Sequence, residues 1–389
     1  MTAADDTAQL PLDDGETVVP QEEPNRSERG REETTSRVGV GGWCGRGAVW
    51  AMLAWLVFAV PGNILSPFDV GVADLDVASL AAIFAIGGLS LNVLIGYAGQ
   101  ISLGHQAFVG IGAFASAFVV TNLHLSFWLG VATAALLGAA QASVLGVVSL
   151  RLTGLYFALV TLAYGAFAEE TLFGVSALTG GEGGKPALRP PAFQDGYRYY
   201  LLCLGFLALV VWLDRRLTRS KAGRALAALR ESPRVAASYG IDVRAYILLA
   251  FAVSGVFAGV AGALMAHHDE VIVGSSFDFR LALLFILMTV VGGLRDPVGV
   301  VIGSAFFAFL EQGSLVQALH LEGLFEGALG LPVEFVSLVV GPLLLLVTLT
   351  LYPGGIGQQV APLRLWLTGH RFDRHAGAVQ EVQVDDVRP

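Results

Sequence analysis

The polar side chains with the clearest chemical meaning lie inside an apolar stretch of the chain, residues 86–118. They are two amides, a hydroxyl and an imidazole: Asn92, Gln100, Ser102 and His105. Glycines break the same stretch at Gly96, Gly99, Gly104, Gly110 and Gly112. Lipid offers no hydrogen-bond partners, so such a segment is tolerated at membrane depth only inside protein or beside a watery path. The pattern is typical of a transport subunit, and we expect the backbone to leave the helix between Gly96 and Gly112.

Three further side chains are candidates for the same pathway: Tyr156, Thr161 and Glu169. Each candidate also has a purely structural interpretation. The polar groups of Asn92, Ser102 and Thr161 fit hydrogen bonds between helices equally well. His105 fits a role in pinning the broken helix, and Glu169 fits a position that faces water. The sequence alone leaves these alternatives open.

A basic loop, residues 214–244, is the second informative feature. Its cations are Arg215, Arg216, Arg219, Lys221, Arg224, Arg230, Arg234 and Arg244. Residues 222–229 have high helix propensity. Next along the chain, Ser232 is placed to cap a helix, Pro233 fits the first helical position, and Gly240 fits the stop. A capped helix in a loop longer than topology requires favours docking on an ATPase over contact with lipid headgroups alone.

The sequence lacks the common motifs that bind nucleotides or metal ions. The chain contains no GxxxxGK[ST] sequence, so ATP that drives this protein must bind to another chain. It contains no HExxH or paired-cysteine motif. His267 and His268 precede Asp269 and Glu270, but adjacent residues in a predicted external loop make poor convergent ligands. We therefore expect neither a metal site nor a cofactor in this chain.

Composition and hydropathy indicate the architecture that holds these residues. The 389 residues are 54% hydrophobic and 14% charged, whereas a soluble domain carries about 25% charged residues. Several apolar runs approach the roughly 20 residues that a helix needs to cross a bilayer core. The runs cover residues 48–65, 79–97, 103–120, 127–150, 154–173, 197–213, 245–266, 281–292, 298–311 and 333–352. The sequence predicts an all-α, polytopic membrane protein with about ten transmembrane helices, one of them broken or re-entrant.

The distribution of charge orients these runs. Cytoplasmic loops are enriched in Lys and Arg, which places the loop 214–244 inside. Arginines near both ends of the chain place both termini inside as well. We predict cytoplasmic tails at residues 1–45 and 356–389, around a transmembrane domain at 46–355. The first tail is acidic and predicted to be disordered, and the net charge of −9 gives no indication of nucleic-acid binding.

Small residues recur every four positions in the fourth apolar run: Gly130, Ala134, Gly138, Ala142 and Gly146. A similar stripe occurs in the seventh run: Gly255, Gly259 and Gly262. Small residues at this spacing let two helix backbones approach closely. The two stripes predict a dense helix bundle and say little about the substrate.

Several segments resemble the permeases of branched-chain amino-acid ABC importers, a family that also contains urea and amide permeases. The resemblance covers roughly residues 81–357. It is carried by the broken stretch 86–118, TGLYFALVTLAYG from Thr153, TGGEGG from Thr179 and GGLRDPVGVVIGSAF from Gly292. The order and spacing of these segments, rather than one motif, make the resemblance specific.

The basic loop is similar to the coupling loop of the same family. Ala236 and Gly240 match the spacing of the family's coupling motif, although Arg234 stands where the motif usually has Glu. The Glu contact therefore does not carry over. The resemblance implies that Arg230, Glu231, Arg234, Ala236 and Gly240 couple the chain to an ATPase.

The resemblance further implies an ABC importer permease fold, a location in the bacterial inner membrane and a non-enzymatic role. The implied partners are a second homologous permease, two ATP-binding cassette subunits, an extracytoplasmic substrate-binding protein and membrane lipid. Urea or amide transport is the first alternative. An ion-coupled secondary transporter is a second one, but it normally needs a carboxylate in mid-membrane and often an internal repeat, neither of which is visible. A membrane enzyme is the third alternative, but the sequence contains no catalytic constellation that would support it.

Overall fold

The computed structural model describes residues 72–152, 154–312, 336–351 and 354–367. The predicted acidic tail at 1–45, the first apolar run at 48–65 and the chain from residue 368 lie outside the described residues. The predicted domain boundaries at 45 and 355 therefore stay predictions.

The described residues are mostly helical. The helices are α1 (Val72–Leu91), α2 (His105–Thr121), α3 (Phe127–Ser149), α4 (Leu155–Phe167), α5 (Ser176–Thr179), α6 (Gly196–Arg219), α7 (Lys221–Glu231), α8 (Pro233–Ser238), α9 (Val243–Asp269), α10 (Phe279–Gly292), α11 (Pro297–Glu311), α12 (Val336–Leu351) and α13 (Gly355–Leu367). Two π-helical segments, Asn92–Tyr97 and Ala168–Leu172, continue α1 and α4. Two short strands, β1 (Lys185–Pro186) and β2 (Val271–Ile272), pair antiparallel.

Within the described residues, five helical segments are long and apolar enough to cross a membrane. They are Leu75–Tyr97, Phe127–Ser149, Gly196–Arg219, Val243–Asp269 and Gly274–Gly292. The helices α2 and α11 are apolar but shorter. Each predicted apolar run from residue 79 onward overlaps a helix, so the all-α membrane architecture is confirmed. The count of about ten crossings stays a prediction.

Helix α1 lies at the centre of the bundle. Its side chains are buried almost all round, including Ile86, Leu89 and Leu91. It packs against α6, α9 and α11. A helix that is apolar on every face lies either inside a protein or against lipid, and the burial of α1 places it inside the bundle. The polar residues that follow α1 are therefore held inside protein and not against lipid.

The two small-residue stripes are packing faces, as predicted, and the structure shows that they pack against each other where α3 meets α9. A Cβ atom at Gly138 would collide with the carbonyl oxygen of Gly255. A Cβ atom at Gly259 would collide with the carbonyl oxygen of Ala134 and lie 3.1 Å from the Cα of Ala135. The backbones are thus too close for any side chain at these positions, so α3 and α9 pack in direct backbone contact here.

The two adjacent histidines at the end of α9 have different partners. The Nε2 atom of His267 lies 3.0 Å from Ser116 Oγ, and its Nδ1 atom lies 2.9 Å from the carbonyl oxygen of Leu188. The Nδ1 atom of His268 lies 2.8 Å from Asp269 Oδ1. These contacts fix the connection between α4 and α6 to the end of the bundle that is predicted to face outside.

Candidate translocation site and coupling loop

The broken segment begins where α1 changes into a π-helix. After Tyr97 the chain is irregular from residue 98 to residue 104, which we call the connecting segment, and Gly99 has a φ of +67°. The helix α2 then begins at His105. A π-helical turn followed by a left-handed glycine ends the regular hydrogen-bond pattern of α1, and the backbone N–H groups of Ala98 and Gln100 donate back to the carbonyl oxygens of Val93 and Leu94.

The break is shorter than the sequence predicted. We expected irregular backbone up to Gly112, but Gly110 and Gly112 lie inside α2. A Cβ atom at Gly112 would lie 2.6 Å from the Cα of Gly259. A Cβ atom at Gly110 would collide with the ring of Phe173. These two glycines permit close packing and do not interrupt the helix.

Asn92 and Tyr97 occupy the two ends of the π-helical segment. The Nδ2 group of Asn92 donates to Tyr97 Oη at 3.3 Å, and its Oδ1 atom accepts from the backbone N–H of Arg295 at 2.9 Å. Tyr97 in turn donates to Asp214 Oδ2 at 2.9 Å. Both ends of the Asn92 amide are therefore satisfied by the protein itself, which supports the structural interpretation of this residue.

His105 lies at the start of α2 in a buried polar cluster. Its Nε2 atom is 3.0 Å from Ser90 Oγ, and Ser90 donates to the carbonyl oxygen of Ser254 at 2.6 Å. The imidazole also packs edge-on against the rings of Phe108 and Phe285. The Ser90 proton is used on Ser254, so Nε2 is the donor to Ser90. The Nδ1 atom is then an acceptor with no hydrogen-bond partner among the described residues.

The connecting segment is anchored by Thr161 of α4. The Thr161 hydroxyl accepts from the backbone N–H of Leu103 at 2.9 Å and donates to the carbonyl oxygen of Ala158 at 2.9 Å. A Cβ atom at Gly104 would collide with the carbonyl oxygen of Thr161. The same contact that holds the segment therefore also requires glycine at position 104.

Two buried side chains in or next to the connecting segment have polar atoms that lack partners. The hydroxyl of Ser102 and the Oε1 atom of Gln106 have no hydrogen-bond partner within the described part of the chain. Gln100 is half-buried and Ile101 is exposed. Buried polar groups are nearly always paired, so unpaired ones at one place mark a site that needs another partner.

Tyr156 and Glu169 lie apart from this cluster. Tyr156 is 74% exposed on the outer surface of α4. Glu169 lies in the second π-helical segment, where it lines an open cavity of about 800 Å³ together with Glu170 and Phe173. Of the predicted pathway residues, the fold brings together Asn92, Gln100, Ser102, His105 and Thr161 around the break, and it separates these two.

The basic loop contains the two short helices that the sequence predicted. The Ser232 side chain accepts from the backbone N–H of Val235 at 3.4 Å, and Pro233 occupies the first helical position of α8. Gly240 follows the helix with a φ of +78°. The cap, the proline and the left-handed glycine therefore define α8 as predicted.

The residues of α8 divide into a buried anchor and an exposed surface. Ala236 is 2% exposed. We refer to Arg234, Val235, Tyr239 and Gly240, which are all exposed, as the α8 tip. The tip carries an aromatic ring, an aliphatic side chain and a cation in a few residues. This composition suits a protein contact better than a purely solvated loop.

Arg230 and Glu231, at the end of α7, contact the chain's own membrane domain. The Arg230 guanidinium donates to the carbonyl oxygen of Gly96. Glu231 Oε1 lies 3.2 Å from Arg295 Nη2. Partial burial, and then the charge of Arg295, lower the pKa of Arg230, while Glu231 opposes this effect. The guanidinium stays charged, because an arginine does not lose its proton in proteins.

The sequence did not single out several residues of this site. They are Ser90, Tyr97, Gln106, Asp214, Ser254 and Arg295. The one usable signal was Asp214, a carboxylate directly at the end of an apolar run. The others are ordinary residues whose partners lie far away along the chain, so no local pattern marks them.

Comparisons with known proteins identify relatives of this chain. A family model described as "Branched-chain amino acid transport system / permease component" matches residues 75–348. The high-affinity branched-chain amino acid transport system permease protein LivM of Escherichia coli is 32% identical over 281 residues, and that of Salmonella typhimurium is 31% identical. The matched part is 65% of this chain and 65% of each LivM, so the chain spans about two thirds of these relatives. The nucleoside ABC transporter permease protein NupC of Lactococcus lactis is 26% identical over 65% of this chain and 84% of its own length. No solved structure matches the chain.

Proposed function

The chain belongs to the family of branched-chain amino acid transport permeases, and from this premise we propose that it is a membrane-spanning subunit of an ABC importer for branched-chain amino acids. The observation that carries the proposal is the extent of the family match. Residues 75–348 enclose both the broken segment and the basic loop. The match therefore supports the proposal that one chain contains both the transport path and the loop that couples it to an ATPase.

The translocation path is proposed to run beside the broken segment. Gln100, Ser102 and His105 provide polar groups there, and Asn92 and Thr161 hold the surrounding backbone. The unpaired atoms of Ser102 and His105 support this assignment, because they are ready to bind water or substrate in a different state of the bundle. Tyr156 belongs to the path only if a second chain covers the exposed surface of α4.

A path of this kind suits a substrate that another protein has already captured. Branched-chain amino acids are zwitterions with an aliphatic side chain, and burying an isolated charge is expensive. If a binding protein recognises the charged ends of the substrate, the permease needs only a path with a few polar groups that bind the substrate weakly. This explains transport of a zwitterion without an ion pair in the middle of the membrane.

The proposed assembly follows the organisation of ABC importers. ATP binds to two separate ATPase subunits, and this chain carries no cofactor of its own. A second homologous permease completes the membrane part, and an extracytoplasmic binding protein delivers the substrate. The proposal places the chain in the bacterial inner membrane, with about ten crossings and both termini in the cytoplasm. The α8 tip is its contact with an ATPase.

The proposed energy source gives a direct test. The purified chain alone is expected neither to hydrolyse ATP nor to take up leucine into vesicles under a proton or sodium gradient. Vesicles that contain the complete importer and ATP are expected to accumulate leucine, isoleucine and valine in preference to urea and adenosine. Radiolabelled uptake measures both results. Gradient-driven uptake by the single chain would instead identify a secondary transporter, and preference for urea or adenosine would change the substrate assignment.

Thiol labelling tests the proposed path. In a chain whose own cysteines are replaced by serine, single cysteines at positions 100 and 101 are expected to react with an aqueous maleimide. Cysteines at positions 102 and 105 are expected to react only while the assembled importer hydrolyses ATP, because both side chains are buried in the present conformation. A cysteine at Ala134, which is also buried, is the unreactive control. Protection of positions 102 and 105 throughout the ATP cycle would show that they are packing residues.

A further inference from the structure

The last two residues of α7 hold both ends of the π-helical segment. Arg230 donates to the carbonyl oxygen of Gly96, near the end of that segment. Carbonyl groups at a helix C-terminus lack partners within the helix and interact favourably with cations. The aliphatic part of Arg230 also lies against Gly99, where a Cβ atom would be 3.3 Å from Arg230 Cγ. The side chain thus contacts the exact turn at which the helix breaks.

The second link passes through Arg295, in the connection between α10 and α11. Its guanidinium is 3.2 Å from Glu231, and its backbone N–H donates to Asn92 Oδ1 at 2.9 Å. Arg295 has a φ of +70°. A residue other than glycine adopts that conformation only where its surroundings fix it. The backbone at Arg295 is therefore held in the geometry that reaches Asn92.

We propose that Arg230 and the Glu231–Arg295 pair are positioning residues that tie α7 to the broken helix. A displacement of the basic loop then moves the π-helical segment and the connecting segment 98–104 with it. The part of this proposal that concerns ATP-driven transport rests on the proposed function. The mechanical link itself rests only on the contacts within this chain.

The exposure of the side chains distinguishes the positioning role of Arg230 from docking on a partner. The α8 tip is exposed and available to another protein. Arg230 instead is partly buried and is bonded to Gly96. The two neighbouring helices thus have different roles. The α8 tip is the surface that contacts a partner protein, and α7 holds the π-helical segment.

Hydrogen–deuterium exchange on the full chain in lipid nanodiscs tests the link without any partner. Arg230→Ala is expected to speed exchange in residues 92–104 by about 10-fold, which corresponds to the loss of one charge-assisted hydrogen bond. Arg224→Ala, on the exposed side of the same helix, is the matched control and is expected to leave exchange there unchanged. Exchange in Arg230→Ala equal to that of the control would overturn the link.

A charge exchange provides a second variant that keeps both side chains long. Glu231→Arg and Arg295→Glu are each expected to speed exchange in residues 92–104 by a smaller factor, because their ion pair is exposed. The double variant is expected to restore the original rate. Exchange in the double variant as fast as in the singles would remove the Glu231–Arg295 pair from the proposal.

Transport per ATP hydrolysed, measured on the assembled importer, tests the role of the link. Arg230→Ala is expected to hydrolyse ATP while moving several-fold less leucine per ATP, and Arg224→Ala is expected to match the unmodified importer. Faster exchange with an unchanged amount of leucine transported per ATP would show that Arg230 only stabilises the fold, and would overturn its positioning role. Absence of leucine uptake by the unmodified importer would overturn the proposed function, while the exchange data would still decide the link.

Discussion

Replacing Gly240 with proline is expected to abolish ATP-driven uptake while leaving the chain in the membrane. Gly240 has a φ of +78° directly after α8, whereas the proline ring holds φ near −65°. The substitution therefore redirects the chain and displaces the α8 tip. Deletion of residues 233–239 is expected to have the same effect, because it removes most of the tip. Labelled-leucine uptake and co-purification of the ATPase subunits measure the two consequences.

Gly240→Asn is the matched control for this prediction. Asparagine tolerates the left-handed conformation better than most residues, and a Cβ atom at position 240 meets no atom within 4 Å. We expect this variant to retain most of the uptake. Normal uptake by Gly240→Pro would show that the conformation of the loop after α8 does not matter for coupling.

Replacing Gly259 with leucine is expected to prevent the bundle from folding stably. Its Cβ atom would collide with the carbonyl oxygen of Ala134 on α3. On another side, Gly112 of α2 packs directly on the Gly259 backbone. Helix α9 is thus clamped between two helices at this point, and overpacking costs about 3 kcal/mol or more where backbones cannot move apart. The expected result is a much lower melting temperature, measured by thermal melts in detergent.

Gly205→Leu is the control for the packing prediction. Gly205 is exposed on α6, and a Cβ atom there meets nothing within 4 Å. The change in hydrophobicity is the same as at Gly259, but no neighbour has to move. We expect the melting temperature of this variant to equal that of the unmodified chain. Equal melting temperatures of Gly259→Leu and Gly205→Leu would show that the α3–α9 contact can accommodate a side chain at position 259.

Features that depend on neighbouring residues were predictable from the sequence. The apolar runs from residue 79 onward each predicted a helix that the structure contains, because a helix inside a membrane needs an apolar segment. The helices α5 and α13 lie outside those runs and were not predicted. Ser232, Pro233 and Gly240 gave the limits of α8, because capping and termination act within one turn. The stripe containing Gly138 gave the face of closest packing. Membership of the permease family also follows from local segments in a fixed order.

The contacts of the candidate site depend on tertiary structure. Arg230 meets Gly96 across 134 positions, and Asn92 meets Arg295 across 203 positions. No local pattern records such a pair, so the sequence assigned Arg230 and Glu231 only to a partner and left Arg295 unassigned. The position of Tyr156 on an exposed surface likewise follows from which helices lie beside α4.

The glycines of the broken stretch show most clearly which features the sequence determines and which features the packing decides. The sequence by itself determined that the stretch is too rich in glycine for an ordinary membrane helix. Only the packing decided that Gly99 makes the break, that Gly104 lies against the Thr161 carbonyl and that Gly112 sits inside a regular helix against Gly259. Glycine serves both a left-handed backbone and a close approach of two backbones. The residue type is the same in both cases, and the neighbours that distinguish them come together only in the folded bundle.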